Sequence, residues 1–190
     1  MMARHDGAPW PRMDLSASMT ETAASPASQG SPFWRFSLAF YGDGDVARAC
    51  LDLQERCDVD VNLLLFLMWL ARDRRALSAD AVRALDATLS GWRGEVIVPL
   101  RAMRRRLKTA VPLVDVEQVG VFRARVKALE LDAERLQQDA MYALAGTLSA
   151  DTVSSRDAAA RANVTAYESV KGRAFDHDAV AILLAVLQRQ

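Results

Sequence analysis

Glu130 and Glu134 stand four residues apart in a run with helical periodicity, which places both carboxylates on one face of a helix. Two like charges at that spacing cost roughly 0.2–0.5 kcal/mol unless something neutralises them. Upstream, five cations crowd into the eight residues from Arg101 to Lys108, and Arg101, Arg104, Arg105 and Lys108 form one stripe. A divalent cation held by Glu130 and Glu134 would relieve the repulsion. So would a cationic ligand, or the stripe itself through an internal salt-bridge network. As a catalytic site, Arg101, Arg105 and Lys108 would bind an anion such as a phosphate ester, with Glu130 and Glu134 as metal ligands or as acid and base. The plainest reading pairs Lys127 with Glu130 and Arg135 with Asp139 and leaves both stripes as wet surface.

Other chemistries find little support. The two histidines, His5 and His177, lie in a polar arm and at a late helix start, with no motif setting a Ser or Cys beside them. No phosphate loop, dinucleotide fingerprint or Cys/His zinc spacing is present. Asp58-Val-Asp60-Val-Asn62 resembles the opening of a calcium loop, but Leu63 replaces the required glycine and Trp69 the closing glutamate. The basic stripe lacks interleaved aromatics and a helix-turn-helix pattern, which sets nucleic acid aside.

The elements that must position these residues are helical. Asp60-Val-Asn-Leu-Leu-Leu-Phe-Leu-Met-Trp-Leu-Ala71 is apolar on nearly every face and about half the roughly 20 residues a membrane span needs, so it reads as a central buried helix. Before it, Ser31-Pro32 caps an aromatic helix with Phe33, Phe36 and Phe40 on one face, and a second helix follows Gly42-Asp-Gly44. After it, Ser78 opens a helix closed at Gly91, Gly91-Trp92-Arg93-Gly94 breaks the chain, and Pro99 opens or kinks the basic helix. The longest helix is expected over 116–148, where Val119, Phe122, Val126, Leu129, Ala133, Leu136, Ala140, Ala143 and Thr147 repeat in 3,4 order. That seam fits a homodimer contact or one helix spanning an antiparallel bundle, and the shrinkage of its late positions to Ala favours the bundle. A polar, Ala-rich helix is expected within 152–171, then Asp176 caps a final apolar helix that must pack on the bundle or on a protein partner.

With 190 residues and 24 basic against 24 acidic side chains, the chain can bury one core and carries no global field toward nucleic acid or an anionic membrane. Cys50 and Cys57 lie two helical turns apart, about 10 Å, too far to bridge, which points to reduced thiols and a cytoplasmic location. Residues 1–30 lack regular apolar spacing and are expected to form a disordered arm, with Trp10 as its one possible anchor.

The run Phe33-Trp-Arg-Phe-Ser-Leu-x-x-Tyr41, the Asp60-Val-Asn-Leu-Leu-Leu-Phe66 helix, Trp92 with Pro99-Leu-Arg101 and Lys108, and Glu130-Leu-x-Ala-Glu134 together resemble one family. It consists of small proteobacterial proteins grouped as a conserved domain of unknown function. The resemblance spans roughly residues 33–145 and implies a bacterial, cytoplasmic, all-α protein with no activity attached. The expected architecture is a single all-α bundle of about seven helices. It comprises an arm over 1–30, a helical core over 31–148, and a C-terminal helical extension over 149–190 packed on that core. The expected role is a binding or regulatory module acting on a protein partner or as a homodimer. The alternative is an enzyme on an anionic, phosphate-bearing substrate.

Overall fold

The computed structural model describes residues 30–109 and 114–190. The arm with His5 and Trp10, and residues 110–113 of the connection between the basic helix and the longest helix, lie outside the described residues. Helix α1 (Pro32–Tyr41) starts where Ser31 Oγ accepts the Trp34 N–H at 3.1 Å, and α2 (Gly44–Cys57) starts at Asp43. Asp58 ends α2 with φ of 51°, a left-handed cap that turns the chain into the central helix α3 (Val61–Arg72). Asp60 caps α3 by accepting from the N–H groups of Asn62 and Leu63, so its carboxylate serves the helix start and no calcium loop.

The expected break at Gly91-Trp92-Arg93-Gly94 does not occur. Helix α4 (Ala79–Trp92) runs without interruption into a π-helical turn over Arg93–Ile97 and on into α5 (Val98–Arg106). Neither glycine takes a positive φ; Gly172 is the one described glycine that does, just after the helix Arg156–Lys171. Proline is the cause that the sequence supplies. Pro99 has no N–H and its ring would press on the carbonyl four residues back in an α-helix. The wider turn just before it, closed by the Val98 N–H on the Arg93 carbonyl, absorbs that misfit.

Helix α6 (Val116–Leu144) is followed by α7 (Arg156–Lys171) and α8 (His177–Gln188). With α4, the π turn and α5 counted as one rod, the described residues form seven helical rods, the expected all-α fold. The only pairing of strands among them is a two-residue antiparallel ladder, β1 (Arg75–Ala76) with β2 (Asp151–Thr152).

Helix α3 is the centre of the core, with Leu63 through Met68 wholly buried. Phe33 of α1 meets Phe66 edge-on at 5.1 Å, and Trp69 bridges Phe66 to Tyr142 of α6. Helix α7 packs on α3 and α4, and α8 packs on α2. One polar residue fixes α7 in place. Asn163, fully buried, donates to the carbonyls of Leu67 and Arg75 and accepts the Leu77 N–H at 2.7 Å, so it satisfies the backbone where the chain leaves α3.

A buried ion cluster beside a polar cleft

The two glutamates are not wet surface. Glu130 and Glu134 are each 1 % exposed, on the face of α6 that meets α5 and the π turn. Their charges are met by Arg101 and Arg104, one helical turn apart on α5. Arg101 donates from Nε to Glu130 Oε1 at 3.0 Å and from Nη2 to Glu134 Oε1 at 2.7 Å. Arg104, 3 % exposed, donates from Nε to Glu130 Oε2 and from Nη2 to Glu130 Oε1. Glu130 thus has both oxygens engaged by guanidinium groups, the planar fork geometry that suits Arg better than Lys.

Of the three basic residues singled out in the sequence, only Arg101 joins this cluster. Arg105 and Lys108 are exposed, and neither forms an ion pair with Glu130 or Glu134. Arg104, the stripe member not put forward as an anion ligand, takes the buried position instead. Arg135 pairs with Asp139 at 3.0 Å as expected, whereas Glu130 turns inward and away from Lys127. Among the described residues no three His, Cys, Asp or Glu side chains come together as a cation would need. With Glu130 saturated, a divalent ion at the pair would find one free carboxylate oxygen.

That oxygen is Glu134 Oε2, which is buried and accepts no hydrogen bond from a described residue. Burial raises the Glu134 pKa to about 7, aided by the neighbouring Glu130 and Asp60 charges and opposed by Arg101. Beyond Glu134 the same face of α6 stays polar. Gln137 Oε1 accepts from Asn62 Nδ2 at 2.9 Å, and Gln138 Nε2 donates to Asn62 Oδ1 at 2.7 Å, so Asn62 ties α3 to α6. Gln137 Nε2 is left without a partner among the described residues.

Asn62, Glu134 and Gln137 line a cleft of about 160 Å³ between the start of α3, the π turn and α6. Arg93 forms its far wall, reaching from the π turn to Asp60 Oδ2 at 2.5 Å and Asp86 Oδ1 at 2.7 Å. Those two carboxylates hold the Arg93 guanidinium charged against its partial burial. Asp60 also donates its backbone N–H to Tyr167 Oη at 2.9 Å, which couples the cleft to α7. At the mouth, Lys171 pairs with the exposed Asp58 at 3.1 Å. Sequence reasoning missed Asp60 beyond its capping role, and Arg93, Asn62 and Gln137 altogether. The available signal was the lone polar Asn62 in an otherwise apolar helix.

Two further groups bear on the chemistry. Cys50 and Cys57 are free and buried, as the spacing predicts, and burial pushes the Cys50 thiol up to about 12, far from a nucleophile's range. His177 is almost fully exposed at the start of α8, with Asp178 its one ion-pair partner among the described residues.

The apolar seam of α6 falls on a boundary. Val119, Val126 and Ala133 are buried, but Phe122, Leu129 and Leu136 are 51 %, 57 % and 49 % exposed. At about 100° per residue, the buried face centres on Glu130 and Gln137, roughly 60° round the helix from the middle of the seam. Six of the nine seam positions therefore face out.

An all-α bundle pinned by a buried Arg–Glu cluster is the class of protein these observations define. The chain belongs to the family described as "Protein of unknown function (DUF2390)", whose model matches residues 32–141, from α1 to the last turns of α6. No curated protein and no solved structure matches it. No described helix is long and apolar enough to cross a membrane.

Proposed function

We propose that this chain is a cytoplasmic binding module rather than an enzyme, and that its working surface is the outer face of α6, which docks on a second copy of itself. The observation that carries this reading is the exposed row Phe122, Leu129 and Leu136, one apolar residue every seven, on the longest helix of the fold. Its flanking charges are self-complementary. In an antiparallel pairing centred on Leu129, Phe122 of one copy lies opposite Leu136 of the other. Exposed Arg125 then falls within one residue, about 1.5 Å of rise, of the other copy's exposed Asp132. In a parallel pairing Arg125 would meet Arg125, and Asp132 would meet Asp132.

The core over 31–148 carries this surface, and the extension over 149–190 braces it from behind through Tyr167 and Asn163. The buried, unlinked cysteines support a reducing compartment. Less supports an enzyme on a phosphate-bearing substrate with Glu130 and Glu134 as catalytic or metal-binding groups. Arg101 and Arg104 are engaged by the glutamates, and an anion would have to break a buried pair to reach them. Sedimentation of the full chain and of Leu129→Asp at about 100 μM tests the reading. A dimer that becomes a folded monomer on substitution is the expected result; an unmodified chain that sediments as a monomer overturns it.

A further inference from the structure

The cleft beside Glu134 carries charge and hydrogen-bonding capacity that the fold itself does not use. Asp60, Asp86, Glu130 and Glu134 set four carboxylates against the three guanidinium groups of Arg93, Arg101 and Arg104. The Lys171–Asp58 pair at the mouth is neutral as a pair and largely open to water on the Asp58 side. One negative charge is therefore in excess. It falls on Glu134, the one carboxylate of the four with an oxygen that is buried and unpartnered. Close by on α6, Gln137 lines the same cleft, and its amide nitrogen is likewise buried with no partner among the described residues. An acceptor that wants a cation and a neutral donor that wants an acceptor thus belong to two residues in the wall of one small space, each atom just beneath its surface.

We propose that this cleft binds a small organic ammonium ion carrying a neighbouring hydroxyl or carbonyl oxygen, with the ammonium on Glu134 Oε2 and the oxygen accepting from Gln137 Nε2. The volume sets the size. A cavity of about 150 Å³ holds a molecule of benzene's dimensions, so a ligand of some half a dozen heavy atoms fits the 160 Å³ here. The charge pattern sets the class. An anion would face Asp60 and Glu134 across the cleft, and a metal ion would find too few free oxygens. A neutral diol would leave the excess charge where it is.

Proton and ammonium compete for the same oxygen. The groups facing Glu134 are Arg101 from α5, Glu130 on its own helix, Asp60 at the start of α3 and Tyr41 from α1. Burial together with Glu130 and Asp60 raises its pKa to about 7. At pH 6 about nine in ten molecules hold the proton; at pH 8 about one in ten does. Ammonium binding therefore strengthens about tenfold from pH 6 to pH 8.

Titration calorimetry of the full chain with ethanolamine, and with ethylene glycol as the uncharged counterpart, tests this. The expected result is binding of ethanolamine alone, about tenfold tighter at pH 8 than at pH 6, and loss of at least tenfold affinity in Glu134→Gln at pH 8. Gln137→Leu should weaken ethanolamine more than ethylamine, which lacks the oxygen. Absence of ethanolamine binding, equal binding of the glycol, or full affinity in folded Glu134→Gln would overturn the proposal. Should Glu134→Gln fail to fold, the pH dependence in the unmodified chain decides alone, and a flat profile counts against it.

Discussion

Arg104 of α5 and Glu130 of α6 meet with both side chains out of water, 3 % and 1 % exposed, in the most deeply buried ion pair among the described residues. Charge burial of this kind is costly unless the paired groups are also well hydrogen-bonded. Here Arg101 supplies the second hydrogen bond to Glu130 Oε1 and at the same time reaches Glu134. The cluster thus ties α5 to α6.

Glu130→Gln should be severely destabilising. It keeps the shape but leaves the buried Arg104 guanidinium without a counter-charge, an effect on the order of 3–5 kcal/mol. For a chain of this size that corresponds to a fall in melting temperature of roughly 10 °C. Thermal unfolding followed by circular dichroism reads it directly.

Glu134→Gln should behave in the opposite sense at high pH. The folded state holds the Glu134 proton up to about pH 7, whereas the unfolded chain releases it near the ordinary value of 4.5. Between those values the folded state binds more protons, so the contribution of Glu134 to stability is fully present below 4.5 and declines as pH rises through 7. A glutamine does not titrate. The stability of Glu134→Gln relative to the unmodified chain should therefore rise between pH 4.5 and pH 8, by up to roughly 3 kcal/mol. Denaturant unfolding at pH 4.5, 6 and 8 gives the curve.

Asn163→Leu tests the brace behind α3. The substitution fills the space but strands the buried Leu77 N–H and takes a hydrogen bond from the carbonyls of Leu67 and Arg75. At about 1–3 kcal/mol for a stranded group, a loss of at least 2 kcal/mol is expected. Hydrogen exchange at the Leu77 amide should quicken ahead of global unfolding, because the opening is local.

Much of the fold was readable from punctuation. Ser31, Asp60, Ser78 and Asp176 each cap the helix they were expected to open, and Gly172 ends α7 at the expected place. The uninterrupted passage from α4 to α5 was not readable, since two glycines within four residues look like a stop. Only the geometry of the π turn shows that Pro99 can be accommodated without one. The site was half legible. Spacing brought Glu130 and Glu134 together with Arg101, but the choice of Arg104 over Arg105 depends on how α5 rolls against α6. Nor does periodicity disclose that a polar stripe is buried. The apolar seam of α6 was the stronger signal, yet the helix turns its charged stripe inward, where arginines on α5 meet every oxygen of the two glutamates but one.

The outward-facing part of that seam is the centre of the account, and mixed-cysteine cross-linking tests it most directly. Phe122→Cys and Leu136→Cys chains are prepared separately, then mixed and oxidised mildly; Cys50 and Cys57 are buried and should stay silent. The two positions lie about 21 Å apart along α6, so the pairing direction is unambiguous. A covalent dimer is expected in the mixture and little in either chain alone, because Phe122 faces Leu136 across an antiparallel contact. Cross-linking of each variant with itself would mean a parallel pair. Failure to cross-link in any combination would mean that the exposed face of α6 does not meet a second copy.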